Sequence, residues 1–211
     1  PHESRRRQRQ MCIRDRHDTF CVKHINVCTY QAVSGSGKDG VEELLQQSSA
    51  YIDQRSIDKK VYPKQIAFNS IPFVDCFLEN NYTREEMKMV WETHKILDEN
   101  ISVNPTAVRV PVLVGHAESI YIETEREIDI ELAKNCLNEF AGISVIDDVQ
   151  EVDFPTSFEH GHGTDDVYVG RIRKGLSKNN SLNLWVVADN VRKGAALNSI
   201  QIAENLVGSE M

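Results

Sequence analysis

The sequence predicts an α+β domain built on a mixed, largely antiparallel sheet with helices on one face. Segments rich in β-branched residues recur at uneven intervals, and helical patterns fall between them without a regular βαβα alternation. The 211 residues are 40% hydrophobic and 27% charged, which is ordinary globular composition with enough chain to bury a core. No apolar run approaches the ~18 residues of a membrane-spanning helix, and the N-terminal arginines lack the apolar region of a secretory signal. A cytoplasmic setting without membrane contact is the expectation. Cys12, Cys21, Cys28, Cys76 and Cys136 are odd in number and include no C-x-x-C, so reduced thiols are expected rather than a disulfide framework or a zinc site.

Residues 1–16 carry six arginines against Glu3 and Asp15 in a chain whose net charge is -8. Such an arm could contact phosphates, but it has neither an aromatic for base stacking nor an amphipathic period. It reads as a non-native appendage, and no nucleic-acid partner is expected. From residue 17 the pattern is that of a folded protein. Ile25 to Tyr30 reads as a strand that runs through Ser34-Gly35-Ser36-Gly37 into a helix marked by Val41, Leu44 and Leu45. Thr83-Arg84-Glu85-Glu86 fits a capping box, and Met87, Val90, Trp91, His94 and Leu97 follow at helical steps, predicting a helix over 83–98. Ala107 to Val114 and Ser119 to Thr124 read as adjacent strands around Gly115-His116. Ile128 to Phe140 reads as an amphipathic helix. Val145-Ile146, Val167 to Ile172 and Leu182 to Ala188 read as further strands, and Gly194 to Leu206 as a closing helix. The segment 142–163 reads as a long surface connection.

Ser34-Gly35-Ser36-Gly37-Lys38 fails the P-loop pattern, because Ala32 stands where its first glycine belongs and Asp39 replaces the magnesium-binding hydroxyl. A plain turn and a backbone phosphate cradle both remain open. Glu85 and Lys88, three apart on one helix, are either a solvated ion pair or a functional pair. Arg109 sits in an apolar strand and needs an acceptor: a structural carboxylate, or a substrate carboxylate gripped by its planar fork. On a straight strand His116 would lie about 23 Å from Arg109 at roughly 3.3 Å per residue, so a shared site requires a bend near Gly115. His116 itself is a structural imidazole or a base. His160-Gly161-His162 with Asp165 and Asp166 lacks a third well-spaced ligand, and no metal is expected.

Five segments, in order, resemble the aspartate-semialdehyde dehydrogenase family over nearly all of residues 17–211. They are Thr29 to Lys38, Tyr62 to Asn69, Glu85 to Val90, Val108 to His116 and Asn183 to Asn198. The resemblance implies residues 17–190 as the C-terminal catalytic and dimerisation domain, related in architecture to the C-terminal domain of glyceraldehyde-phosphate dehydrogenases. It implies 191–211 as a closing helix that packs on a nucleotide-binding domain. The implied activity is the NADP-dependent interconversion of L-aspartate 4-semialdehyde and L-4-aspartyl phosphate, on the route to lysine, threonine and methionine, in a homodimer or homotetramer. The implied roles are His116 as acid/base partner of the nucleophile and Gln31 orienting substrate near the thiol. Arg109 would clamp the substrate α-carboxylate, Glu85 would meet its ammonium and Lys88 the phosphate. Ser34, Gly35 and Asn190 would touch the cofactor.

The family's nucleophile belongs to an Asn-Cys-[Ser/Thr] motif whose place here would be Ser4, and no such motif occurs in the chain. The dinucleotide fingerprint G-x-x-G-x-x-[GA] is also missing. The expectation is therefore a fragment inactive by itself, with Ala195, Ala196, Leu197, Ile200, Ile202 and Leu206 exposing an apolar face. A non-catalytic dimerisation or substrate-binding module, and a related reductase of N-acetylglutamyl phosphate, are the alternatives.

Overall fold

The structure, a computed structural model, describes residues 21–193. The basic arm and the closing helix lie outside the described residues. Six strands form one sheet in the order β2-β1-β3-β6-β5-β4. They are β1 (Val22–Gln31), β2 (Ser102–Arg109), β3 (His116–Thr124), β4 (Ile143–Val145), β5 (Val167–Lys174) and β6 (Ser181–Ala188). The pairs β1/β2 and β4/β5 are parallel, whereas β1/β3, β3/β6 and β5/β6 are antiparallel, as the sequence predicts. Alternation along each strand puts Ile25, Val27, Ile120, Ile122, Leu182, Leu184 and Val169 on one buried face.

Two helices cover that face, α2 (Arg84–Ile96) through Met89 and Leu97, and α3 (Ile130–Asn138) through Ile130, Ala133 and Leu137. The capping box predicted at Thr83 is present, with the Thr83 side chain accepting from Glu86 N and the Glu86 carboxylate accepting from Thr83 N. The apolar stripe on α2 differs from prediction. Met89 and Leu97 reach the core while Trp91 stays 51% exposed, because the buried face of the helix is led by Glu86, whose carboxylate also accepts from the β2 amide of Ala107. The first helix, α1 (Lys38–Ile52), packs elsewhere, on a smaller core of Val33, Leu44, Tyr62, Ile66, Ala67 and Ile71.

Two further expectations need correction. The strands around Gly115 are not neighbours: β2 and β3 flank β1 on opposite sides, since β2 runs parallel to β1 after a crossover containing α1 and α2. Nor does the β2 strand continue to Val114. It stops at Arg109, and the chain beyond it pairs instead with a 3-10 turn at Val33–Ser36, through Val33 N to Val112 O at 2.8 Å and Ser34 N to Leu113 O at 3.1 Å. The segment 142–163 is also more than a surface connection. Pro155 is fully buried over Gly170 and accepts from Trp185 Nε1 at 3.0 Å, so the loop is laid back onto the sheet.

Candidate active site

The strand directions create the site. The parallel strands β1 and β2 both end at the same edge, where Gln31 and Arg109 are register partners. The antiparallel strand β3 begins there with His116, opposite Ala188 at the end of β6, two residues before Asn190. The ends of parallel strands are where a sheet leaves backbone and side chains free to face a ligand.

The bend required between Arg109 and His116 exists. Val110 to Gly115 leaves the sheet, and Gly115 returns the chain at φ +91, a left-handed conformation that favours glycine. Packing demands glycine there as well, because a Cβ would stand 2.7 Å from the carbonyl oxygens of Gly161 and Ser157. The Arg109 and His116 side chains then converge on Gly35 in the 3-10 turn. A Cβ at Gly35 would lie 2.9 Å from Arg109 Nη1 and 3.4 Å from His116 Cε1 and Nε2. Gly35 is thus a glycine for space: any side chain would fill the gap between guanidinium and imidazole.

Arg109 is 5% exposed and donates through Nη1 to Ala32 O at 2.6 Å. Burial pulls its guanidinium below the ordinary arginine value, with Tyr62 and Glu85 acting in the opposite direction. A cation kept at that cost needs acceptors for the donors of its planar fork, and Glu85 is the acidic group that acts on it. Gln31, also buried, donates from Nε2 to Glu85 Oε1 at 3.2 Å, which ties β1 to α2. The other Glu85 oxygen faces Lys88 Nζ at 3.2 Å, and both side chains are about a quarter exposed. Asn190 Oδ1 accepts from Ser34 Oγ at 3.1 Å and from Gly115 N at 3.0 Å, joining the turn, the bend and the end of β6. His116 Nδ1 accepts from Ala32 N at 3.1 Å.

All eight residues singled out in the sequence therefore fall in one connected region. Sequence reasoning missed two contributors. The Ala32 backbone touches both Arg109 and His116, yet an alanine between a strand and a turn carries no sequence signal. Asp75 places its carboxylate 3.5 Å from Lys88 Nζ from a left-handed backbone at φ +74, which aspartate tolerates better than most residues. The segment of the histidine pair near residue 160 packs on Gly115 through Gly161, His162 is exposed, and the other groups there are engaged among themselves. His160 stacks on Tyr168 and accepts from Thr156 N, Asp165 pairs with Arg192, and Asp166 accepts from Ser144 Oγ. Among the described residues no group of three His, Cys, Asp or Glu side chains is arranged to hold a metal. No described helix is long and apolar enough to cross a membrane. Cys21, Cys28, Cys76 and Cys136 are free thiols.

A mixed six-stranded sheet with helices on one face, and with an arginine and an imidazole brought together at its strand ends, defines an α+β domain. The chain belongs to the family described as semialdehyde dehydrogenase, dimerisation domain, whose model matches residues 15–193. It is 53% identical over 201 residues to the aspartate-semialdehyde dehydrogenase of Shewanella violacea, covering 95% of this chain and 59% of that protein. The Legionella pneumophila enzyme of the same name is 48% identical over 94% of this chain. Among solved structures, aspartate semialdehyde dehydrogenase II from Vibrio cholerae, complexed with ASA, superposes with a TM-score of 0.93 at 46% identity, covering all of this chain and 62% of that one. The chain thus spans about three fifths of the length of the relatives it matches.

Proposed function

We propose that this chain supplies the substrate-recognition and acid–base half of an aspartate-semialdehyde dehydrogenase, acting in the NADP-dependent interconversion of L-aspartate 4-semialdehyde and L-4-aspartyl phosphate. The observation that carries the reading is the convergence of Arg109, Glu85, Lys88, Gln31 and His116 at one edge of the sheet. Each meets one feature of a small, zwitterionic acyl phosphate. The Arg109 fork matches the α-carboxylate, and Glu85 the ammonium, with Gln31 bridging to hold it in place. Lys88 beside Glu85 offers a point charge to the phosphate, and His116 exchanges a proton with the thiol nucleophile. A free ammonium beside Glu85 favours aspartyl phosphate over an N-acetylated acyl phosphate, which would leave the carboxylate unanswered.

Bound NADP would supply the hydride chemistry. Asn190 fits its nicotinamide end, since Oδ1 is committed to Ser34 and Gly115 and the side-chain NH2 is the donor left for a carboxamide oxygen. The described residues hold no dinucleotide fold, and the sequence holds no Asn-Cys-[Ser/Thr], so the thiolate and most of the cofactor site belong to chain outside this region. The lysine, threonine and methionine routes and a cytoplasmic setting belong to the same reading. A second copy, as the family's description implies, would pair through the half-buried face of the sheet opposite the helices, which presents Asn26, Cys28, Ser119, Tyr121 and Asn183.

The test joins this chain to the nucleotide-binding half of the Shewanella relative and follows NADPH oxidation. Turnover with L-aspartyl phosphate, with little from N-acetylglutamyl phosphate and none from the 211-residue chain alone, is the expected result. A folded chimera that turns over only the acetylated substrate would overturn the assignment.

A further inference from the structure

We infer that the Ala32 backbone is a positioning element of this site: its N–H fixes His116 in the tautomer that carries hydrogen on Nε2, while its carbonyl holds Arg109 alongside. Ala32 is fully buried, so its amide hydrogen must find a protein acceptor, and the one it has is His116 Nδ1 at 3.1 Å. Turning the ring over would set a carbon against that amide and leave a buried donor unmet, so the ring orientation follows from the accounting. A nitrogen that accepts cannot also carry the proton, and the neutral imidazole must then bear its hydrogen on Nε2. That edge of the ring is the one turned toward Gly35 and Arg109 Nη1, where the missing side chain leaves room. Ala32 O accepts from Arg109 Nη1 at 2.6 Å, so one extended residue (φ -63, ψ 151) indexes both groups to the end of β1.

The consequence deepens the dehydrogenase reading and rests on it for its catalytic meaning. When neutral, His116 would meet the reacting centre as a hydrogen-bond donor. It is therefore set to stabilise a thiolate or an oxygen anion through the hydrogen it carries on Nε2.

The tautomer is a property of the chain itself and can be read without substrate. Ring-15N histidine labelling of the 211-residue chain, at a pH where the ring is neutral and with His116 assigned by the signals lost in His116→Asn, should show the Nε2–H pattern. Semisynthetic replacement of Ala32 by its α-hydroxy acid deletes the N–H without adding bulk and should move the ring toward a mixture of tautomers. An Nδ1–H ring in the unmodified chain, or a ring indifferent to loss of the amide, would overturn the inference. Should the ester-linked chain not fold, thermal melting decides. The oxygen of His116→Asn can still accept from Ala32 N, whereas His116→Ala cannot, so the alanine variant should melt lower, and equal melting would count against the proposal. Absence of turnover in the chimera would remove the dehydrogenase reading and leave the tautomer result standing.

Discussion

Two polar networks lie within one small region of this molecule, and they are built to opposite specifications. In the first, Glu43 of α1 receives Lys60 N at 2.9 Å and Val61 N at 2.5 Å on one oxygen, and Gln47 Nε2 at 3.0 Å and Tyr62 N at 3.4 Å on the other. Gln47 in turn donates to Asp58 O and accepts from Ile66 N and Ala67 N. Both side chains are buried, and their polar atoms are answered by the chain's own backbone. In the second network, Arg109 is equally buried and donates to the Ala32 carbonyl, while Glu85 and Lys88 remain about a quarter exposed beside it. A closed network staples a loop to a helix; an open one, with charges converging at a partly exposed edge, suits the ligand-binding role proposed for it.

Substitution should separate the two. In the active chimera, Arg109→Ala should lower kcat/KM by about a thousandfold, roughly 4 kcal/mol of lost transition-state binding. Arg109→Lys should lose about a hundredfold, because a point charge does not reproduce the planar fork. Thermal midpoints should scarcely move in either variant, since the guanidinium, pulled down by its burial, is a burden on the fold rather than a support. Steady-state kinetics with melting curves on the same samples check both halves. A large loss of stability in Arg109→Ala would place Arg109 with Glu43 as a structural group.

The reverse result is expected at Glu43. Glu43→Ala strands three backbone amides of the 60–62 segment and should cost about 3 kcal/mol, a drop of roughly 6–12 °C in melting temperature. The KM for aspartyl phosphate should stay near its original value. A related but milder effect is expected at Lys134 of α3, which pairs at 3.0 Å with the buried Asp147 carboxylate. Lys134→Ala leaves that carboxylate with Ile172 N at the β5 bulge and should cost about 2 kcal/mol by denaturant titration, less than for a fully buried pair because the lysine is partly solvated.

How much of this was legible in the sequence follows the range of the interactions involved. Capping boxes and hydrophobic periods act within a few residues, so α2 and its Thr83 cap could be read directly. The route of the chain past Arg109 could not, because Val110 to Leu113 is as β-prone as the strand before it. What ends β2 is the distant 3-10 turn that claims the Val112 and Leu113 carbonyls. The site residues were found through resemblance, whereas pattern alone left Arg109 evenly open between a structural and a substrate partner and favoured a structural role for His116. Their convergence depends on Gly115 and on the parallel pairing of Gln31 with Arg109, which no local signal encodes. Ala32 illustrates the limit, since its contribution comes through backbone atoms that every residue possesses.

The smallest expected effect comes from a third kind of polar contact, one left in water. Glu123 on β3 accepts from Lys178 Nζ at 2.6 Å and from Tyr121 Oη at 2.9 Å. The hydrogen bond from Lys178 is the main cause that holds the Glu123 carboxyl below its ordinary value, and the same bond raises the Lys178 ammonium above its own. The sign follows from linkage. The depressed carboxyl contributes above its unfolded value and loses that contribution as pH falls through its folded one. The raised ammonium contributes below its unfolded value and loses it as pH rises through its folded one. Carboxyl NMR titration should therefore find Glu123 below the ordinary glutamate midpoint, with Lys178→Ala returning it most of the way and added salt acting in the same direction. The melting temperature should hardly respond, since solvent already answers both groups. A fall as large as that of Glu43→Ala would mean that exposure is no guide to which polar contacts hold this fold together.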